Sequence, residues 1–188
     1  MEKIRDVFEQ QVAMSDHDWE IFSSYLLQTN YAKQETILNL GAVENYLSFI
    51  ATGIIRYYIP GEEQELTFGF SFKNEFASAY DSFLTRMPST YTLEALGPVE
   101  LWRISYDDLQ KVYQESAVGN IIGRYAAEGL FLKKSKRELS LLQESAEERY
   151  LKIFKERPEL IRSIPLKYIA SYIGITPQAL SRIRKRIS

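Results

Sequence analysis

The chain has no cysteine and a single histidine, His17. Without cysteine there are no disulfides, no thiol redox switches and no cysteine-ligated zinc or iron–sulfur centres. With one histidine there is no multi-histidine metal site, and histidine-based nucleophilic catalysis would rest on that side chain alone. It lies in "SDHDWE", where Ser15 is placed as the N-cap of a helix, so a structural role is expected. No apolar run approaches the ~18 residues of a membrane span. The opening "MEKIRDVFEQ" is charged rather than signal-like. These absences point to a protein that is not an enzyme, makes no membrane contact and resides in the cytoplasm.

Acidic residues are missing from one region only. All 25 Asp and Glu lie within residues 1–159, whereas Arg162, Lys167, Arg182, Arg184, Lys185 and Arg186 lie beyond Glu159. The net charge of −2 therefore conceals a basic end. Such asymmetry suggests that one segment meets a polyanion. A solvated basic helix end, favourable to the helix dipole, reads the same charges without a ligand.

What is present is ordinary for a globular chain of 188 residues, 45% hydrophobic and 13% aromatic. Residues 2–13 and 15–29 read as two short helices, the second with Trp19, Phe22 and Leu26 at helical spacing. From about Tyr31 to Ile104 short β-rich runs follow, among them "ETILNL", "YLSFIAT", "IIRYYI" and "VELWRI". Turn signals at Gly41, Gly53, Pro60–Gly61 and Gly97–Pro98 separate them. In "ELTFGFSF" Leu66, Phe68, Phe70 and Phe72 alternate as the buried face of a strand. Many short strands with tight turns predict an antiparallel roll. "SYDD" at Ser105–Asp108 then opens a helix with a capping box. Residues 117–143 contain no proline and carry Val118, Ile121, Ile122, Tyr125, Leu132, Leu139 and Leu142 along one seam of a long helix, which needs a partner. The seam lies on its own domain or on the same helix of a second subunit; the second is favoured. A second capping box, "SAEE" at Ser145–Glu148, starts a helix that must stop before Pro158.

The last segment, "LKYIASYIGITPQALSRIRK", reads as helix, tight turn, helix. Pro165 sits in the first turn of one helix, Gly174 ends it, Thr176 caps the next, and Pro177 takes its first position. Leu166, Ile169, Ala170 and Ile173 face Leu180, Ile183 and Ile187, which fits the helix-turn-helix template. Gln178, Ser181, Arg182 and Lys185 share the outer face of the second helix. Gln reads adenine, Arg reads guanine, and Lys meets phosphate. Thr176 and the free amides beside it suit a phosphate, and Arg186 flanks the face.

With those residues in place, the chain resembles the cyclic-AMP receptor and Fnr (Crp/Fnr) family of bacterial transcription regulators. "IPLKYIASYIGITPQALSRIRK" and "VELWRISYDDLQKVYQES" carry the likeness. It implies an α+β fold with a cyclic-nucleotide-binding-like antiparallel β-roll (a jelly roll), a long dimerisation helix and a C-terminal helix-turn-helix. The expected boundaries are 1–115 for the roll with its N-terminal helices, 116–144 for the long helix and 145–188 for the DNA-binding part. The resemblance implies a homodimer joined at Val118, Ile122, Tyr125, Leu132 and Leu139. Its implied partners are double-stranded DNA at two-fold operators, with RNA polymerase and a small-molecule effector as further candidates. The family holds the cyclic phosphate with an arginine and the ribose with a glutamate. In "NEFASAYDSFLTRMPSTYTLEAL" Ser89 stands at the arginine position and Ala79 at the glutamate position. Burying an anionic phosphate without its cation is costly, so cyclic AMP is disfavoured and no cofactor is expected. Another effector would meet Phe70, Phe72, Phe76, Tyr80, Arg86, Ser89, Thr90 and Tyr91, whose aromatic members also read as plain roll core. Two other readings remain. One is a ligand-binding module whose basic helical end docks on a protein. The other is a metal-dependent oxygenase on a small barrel, which needs a cluster of histidine and carboxylate ligands.

Overall fold

The computed structural model describes residues 2–10, 12–62, 64–156 and 158–187. Along them run α1 (Glu2–Glu9), α2 (Asp16–Ser24), β1 (Leu27–Tyr31), β2 (Thr36–Leu38), β3 (Tyr46–Thr52), β4 (Ile54–Ile59), β5 (Leu66–Phe72) and β6 (Phe76–Ala77). There follow α3 (Tyr80–Thr85), β7 (Thr92–Ala95), β8 (Val99–Ser105), α4 (Tyr106–Glu115), α5 (Gly119–Gln143), α6 (Ala146–Glu156), α7 (Pro158–Ser163), α8 (Leu166–Tyr172) and α9 (Pro177–Ile187). The strands form two four-stranded sheets, in the orders β1-β8-β3-β6 and β2-β7-β4-β5. The first is antiparallel, with Ser48 opposite Arg103 and Leu27 opposite Arg103 on the other edge. Together the two sheets form an antiparallel jelly roll. Gly53 turns β3 into β4 at φ +94°, and a Cβ there would lie 2.5 Å from the Pro98 carbonyl oxygen, so only glycine fits.

The chain divides into two compact units, Met1–Tyr57 with Phe70–Gly129, and Tyr58–Gly69 with Leu130–Ser188. In the first, α1, α2 and α4 bury one face of the β3–β8 sheet. Ile4, Phe8, Met14 and Phe22 pack with Phe49, Phe83, Ile104, Leu109 and Val112. Phe8 stands edge-on to Phe22 at 5.0 Å and stacks on Phe76 at 5.6 Å, contacts that add to area burial. The second unit has a smaller core of Tyr150, Ile164, Ile169, Ala170, Ile173, Leu180 and Ile183.

Three expectations are corrected here. The second helix ends at Ser24, not near residue 29, because Leu27–Tyr31 pair with Val99–Arg103 as a strand. Ladder hydrogen bonds outweigh the helical spacing of the apolar residues there. The first helix ends at Glu9, short of residue 13. In β5 the alternation fails: Leu66 is 52% exposed while Thr67 and Ser71 are buried. Those two positions are satisfied by hydrogen bonds, Thr67 N–H to Ser171 Oγ at 2.8 Å and Ser71 Oγ with the Tyr57 hydroxyl at 3.2 Å. As expected, α6 stops before Pro158, which in turn opens α7, since proline is well suited to a first helical position.

The long helix starts at Gly119 rather than at residue 117 because its approach is held from α2. Buried Asp18 accepts from Ser116 Oγ at 2.7 Å and from the Ala117 amide at 3.0 Å. Its own helix cap, Ser15, also donates to it, and these hydrogen bonds, Ser15's first, hold the Asp18 carboxyl below its usual pKa.

Candidate functional site: the roll interior and the terminal helices

On β8, Trp102 and Ile104 pack toward the helices, so Leu101 and Arg103 point to the opposite face, the roll interior. Arg103 is 8% exposed. Its Nη1 donates to the Tyr31 hydroxyl at 2.6 Å and its Nε to Ser48 Oγ at 3.2 Å. It lies 4.1 Å over the Tyr46 ring, and its Nη2 is 3.8 Å from Glu44 Oε1. Glu44, also buried, accepts from the Tyr46 amide at 3.0 Å and the Ala79 amide at 3.3 Å. Desolvation raises its pKa above 4.5, opposed by those amides and by Arg103. A second pair joins buried Arg56 on β4 to half-buried Glu94 on β7 at 3.1 Å. No spacing in the sequence announced either pair. Strand register creates them.

The residues expected to form a ligand pocket are not all brought together. Ser89 and Tyr91 are buried. The Ser89 hydroxyl donates to the Tyr91 carbonyl at 2.8 Å and accepts from the Tyr91 amide, a local turn bond. Tyr91 donates to Asp81, and its ring lies 6.4 Å from that of Tyr57. Burial pushes both tyrosine pKa values up, so both are neutral phenols at pH 7. Phe70 is buried and Phe72 half-buried beside it, with ring centroids 6.4 Å apart. Phe76 and Tyr80 are drawn to the core under the helices instead: Phe76 stacks on Phe8 of α1, and Tyr80 stacks on Phe83. Thr90 is exposed. Arg86 takes a left-handed φ of 60°, donates to the Glu44 carbonyl at 2.7 Å and to Asn45, and lies 4.5 Å over the Tyr106 ring. Its charge is committed to that clamp. Ala79 is fully buried. Among the described residues no buried side-chain polar atom lacks a hydrogen-bond partner, and no group of three or more His, Asp or Glu is placed to hold a metal.

In the second unit, α8 and α9 join through a turn in which Gly174 has φ +80°. The Ile175 amide reaches back to the Ala170 carbonyl at 3.0 Å. Pro165 is the N-cap of α8 rather than part of its first turn. Thr176 Oγ1 accepts from the Ala179 amide at 3.2 Å, and Pro177 begins α9. Ile169, Ala170, Leu180 and Ile183 are buried between the two helices, whereas Leu166 and Ile187 are each 38% exposed. Two arginines unforeseen from the sequence grip the end of α8. Arg137 donates to the Tyr172 carbonyl at 2.5 Å and lies 3.8 Å over its ring, and Arg149 donates to the Ile173 carbonyl at 2.9 Å. Gln178, Ser181, Arg182 and Lys185 are exposed on one face of α9, as is Thr176 at its start. Arg186 is exposed too, but it is bound to Glu147 on α6 at 2.6 Å. A shallow cavity of about 410 Å³ lies along the neighbouring face, lined by Leu166, Pro177, Leu180, Ser181, Arg184 and Lys185.

Of the expected seam, Val118 belongs to the core of the first unit. Leu132 and Leu139 are 66% and 49% exposed. The side chains of Ile122 and Tyr125 lie outside the described residues. Among the described residues no helix is long and apolar enough to cross a membrane.

Residues 28–116 match the cyclic nucleotide-binding domain family. No curated protein matches the sequence. Among solved structures, the chain is similar to the c-di-GMP-responsive global regulator CLP of Xanthomonas campestris, at 20% identity over 92% of this chain and 91% of that one, with a TM-score of 0.68. It is similar to FixK2 of Bradyrhizobium japonicum, at 16% identity over 86% and 84%, with a TM-score of 0.72. A putative Crp/Fnr-family transcriptional regulator of Eubacterium rectale aligns at 19% identity over 93% and 83%, with a TM-score of 0.72. These likenesses establish the fold.

Proposed function

We propose that the chain is a sequence-specific DNA-binding transcription regulator of the Crp/Fnr type, acting as a homodimer, with α8 and α9 as its helix-turn-helix. The observation that carries the reading is the exposed row Gln178, Ser181, Arg182 and Lys185 on α9, in a segment with no acidic residue beyond Glu159. A helix of that kind enters the major groove with its first turns against base edges. Gln178 supplies a donor and an acceptor for adenine, Arg182 supplies two donors for guanine, and Lys185 supplies a phosphate contact. Thr176, at the start of α9, serves the phosphate that orients the helix. The exposed leucines of α5 favour a second copy as the partner, which sets two α9 helices on half-sites about one helical turn, ~34 Å, apart.

The roll is the sensor, and cyclic AMP bound in the family's usual manner is not its signal. Three observations support this. Ala79 and Ser89 carry neither carboxylate nor cation, Arg86 is held by the Glu44 carbonyl, and Tyr57 and Tyr91 fill space in the roll with neutral rings. A different small-molecule effector, and contact with RNA polymerase, belong to the same reading.

The test is selection of bound duplexes from a random DNA pool at moderate salt, repeated with Arg182→Ala. An inverted repeat whose preference relaxes at one position in the variant is expected. Recovery of DNA with no shared sequence, unchanged in the variant, overturns the reading and favours a basic end that docks on protein.

A further inference from the structure

Along α5 the residues at 121, 125, 128, 132, 135, 139 and 142 recur at alternating steps of four and three, the a/d spacing of a two-stranded coil. Ile121, Leu132, Leu139 and Leu142 are exposed apolar members of that row. Two members are polar. One, Glu128, falls at a d position. Arg124 precedes it at g, and Gly129 follows it at e. Within the helix Arg124 Nε and Glu128 Oε1 are 3.8 Å apart, and both side chains are mostly solvated. A Cβ built on Gly129 would meet nothing within 4 Å, so the helix surface beside Glu128 is bare.

Resting on the dimer reading above, we infer that Arg124 and Glu128 form a charge layer across the α5–α5 interface, with Gly129 as the gap through which it closes. In a parallel pair, a g side chain faces the e position of the following heptad on the other helix. For Arg124 that position is Gly129 of the second copy. With no side chain there, the guanidinium can pass across the helix to the Glu128 carboxylate of the second copy. Two-fold symmetry makes two such bonds, Arg124 to Glu128 in each direction. They answer the problem Glu128 otherwise poses, since two carboxylates would face each other at a core position. The occupant of the seam is therefore a second copy of this chain in parallel register. Any slip in register separates the charges and brings like charges together, so the layer selects register more than it adds affinity.

The full chain is compared as wild type, Arg124→Glu and Glu128→Arg by sedimentation equilibrium, each alone and mixed in equal amounts. Native mass spectrometry then counts heterodimers in the mixture. Arg124→Glu carries only acids at the layer and Glu128→Arg only bases. Each alone is expected to dimerise roughly tenfold or more weaker than wild type, because like charges meet both along and across the helices. Mixed, they form heterodimers beyond the statistical half, and added salt erodes the preference. If the pair acts only within one helix, each variant keeps its internal clash and the mixture shows no heterodimer preference, which overturns the inference. Variants that dimerise like the wild type overturn it as well. A wild type that stays monomeric at every concentration overturns the dimer reading itself, and the mixed sample distinguishes the two failures.

Discussion

In the first unit Arg103 is buried, with Tyr31, Ser48, Tyr46 and Glu44 around its guanidinium. In the second unit Arg182 is exposed and has no ion-pair partner among the described residues. The same contrast separates Arg56 and Arg86 from Lys185. The roll uses its cations to hold its own chain, against carboxylates, carbonyls and tyrosine rings, and the terminal helix leaves Arg182 and Lys185 to solvent. A buried guanidinium has lost its water and is stable only while every partner is in place. An exposed one keeps its hydration and can exchange it for a phosphate or a base edge. Cation burial thus separates arginines that hold the chain, Arg103 in the roll and Arg137 in the second unit among them, from Arg182 and Lys185, the pair that the proposed function sets against DNA.

The sharpest way to break the comparison is to remove a partner inside the roll. Arg103→Leu leaves Glu44 buried without its cation, and stripping one member from a buried pair costs about 3–5 kcal/mol. Denaturant unfolding of the full chain should show that loss. The double variant with Glu44→Gln should recover much of it. Proton linkage gives a second check. Glu44 has a pKa raised by desolvation, so the folded form binds its proton more tightly than the unfolded form does. Its contribution is most favourable below pH 4.5 and declines as pH rises through the raised value. Removing Arg103 raises that value further, so the Arg103→Leu defect should shrink on acidification. A defect independent of pH would mean that the lost hydrogen bonds to Tyr31 and Ser48 dominate.

The next effect lies where α2 holds the approach to α5. Asp18→Ala leaves the Ser116 hydroxyl and the Ala117 amide without their acceptor, and a buried donor left unpaired costs about 1–3 kcal/mol. The sign of the pH dependence is opposite to that of Glu44. Asp18 has a lowered pKa, so its contribution is full above pH 3.8 and is lost as pH falls through the folded value. Wild type should therefore lose more stability than Asp18→Ala on titration below about pH 4.

What was legible in the sequence divides along the same line. Ser15, Ser105, Ser145, Thr176 and Gly174 all stand where their caps and turns were expected, because a cap is decided within a few residues. The α9 face could be read for the same reason: its members recur within one helix. The Glu44–Arg103 and Arg56–Glu94 pairs could not, since only the register of β3 against β8 and of β4 against β7 makes neighbours of them. Residues 25–29 misled because their apolar spacing continues that of α2, and pairing with β8 decided their conformation. Pro158 was read as a stop and is also a start. Phe76 and Tyr80 were assigned by their place in the chain, but Phe76 on β6 stacks on Phe8 of α1, and Tyr80 on α3 stacks on Phe83.

In the second unit the breaking variant is Arg182→Ala. Loss of one base-reading arginine is expected to weaken operator binding by roughly tenfold to a hundredfold. Its unfolding free energy should stay within about 0.5 kcal/mol of wild type, as for other surface changes. Comparable losses in folding and binding would place Arg182 with Arg103, and the contrast between the units would fail.

The smallest effect is the most diagnostic. Lys185 and Arg186 are adjacent, both cationic and both exposed, yet only Arg186 is bound, to Glu147 on α6. If the unpaired cations are the ones that meet DNA, Lys185→Ala should weaken binding about equally for operator and random duplex. It should also lower the slope of log affinity against log salt by about 1, the signature of one phosphate contact. Arg186→Ala removes the same formal charge but should leave that slope unchanged, because its guanidinium is already matched by a carboxylate. Equal slope changes in the two variants would mean that the Glu147 bond opens on DNA, and that pairing within the protein does not decide which cations bind.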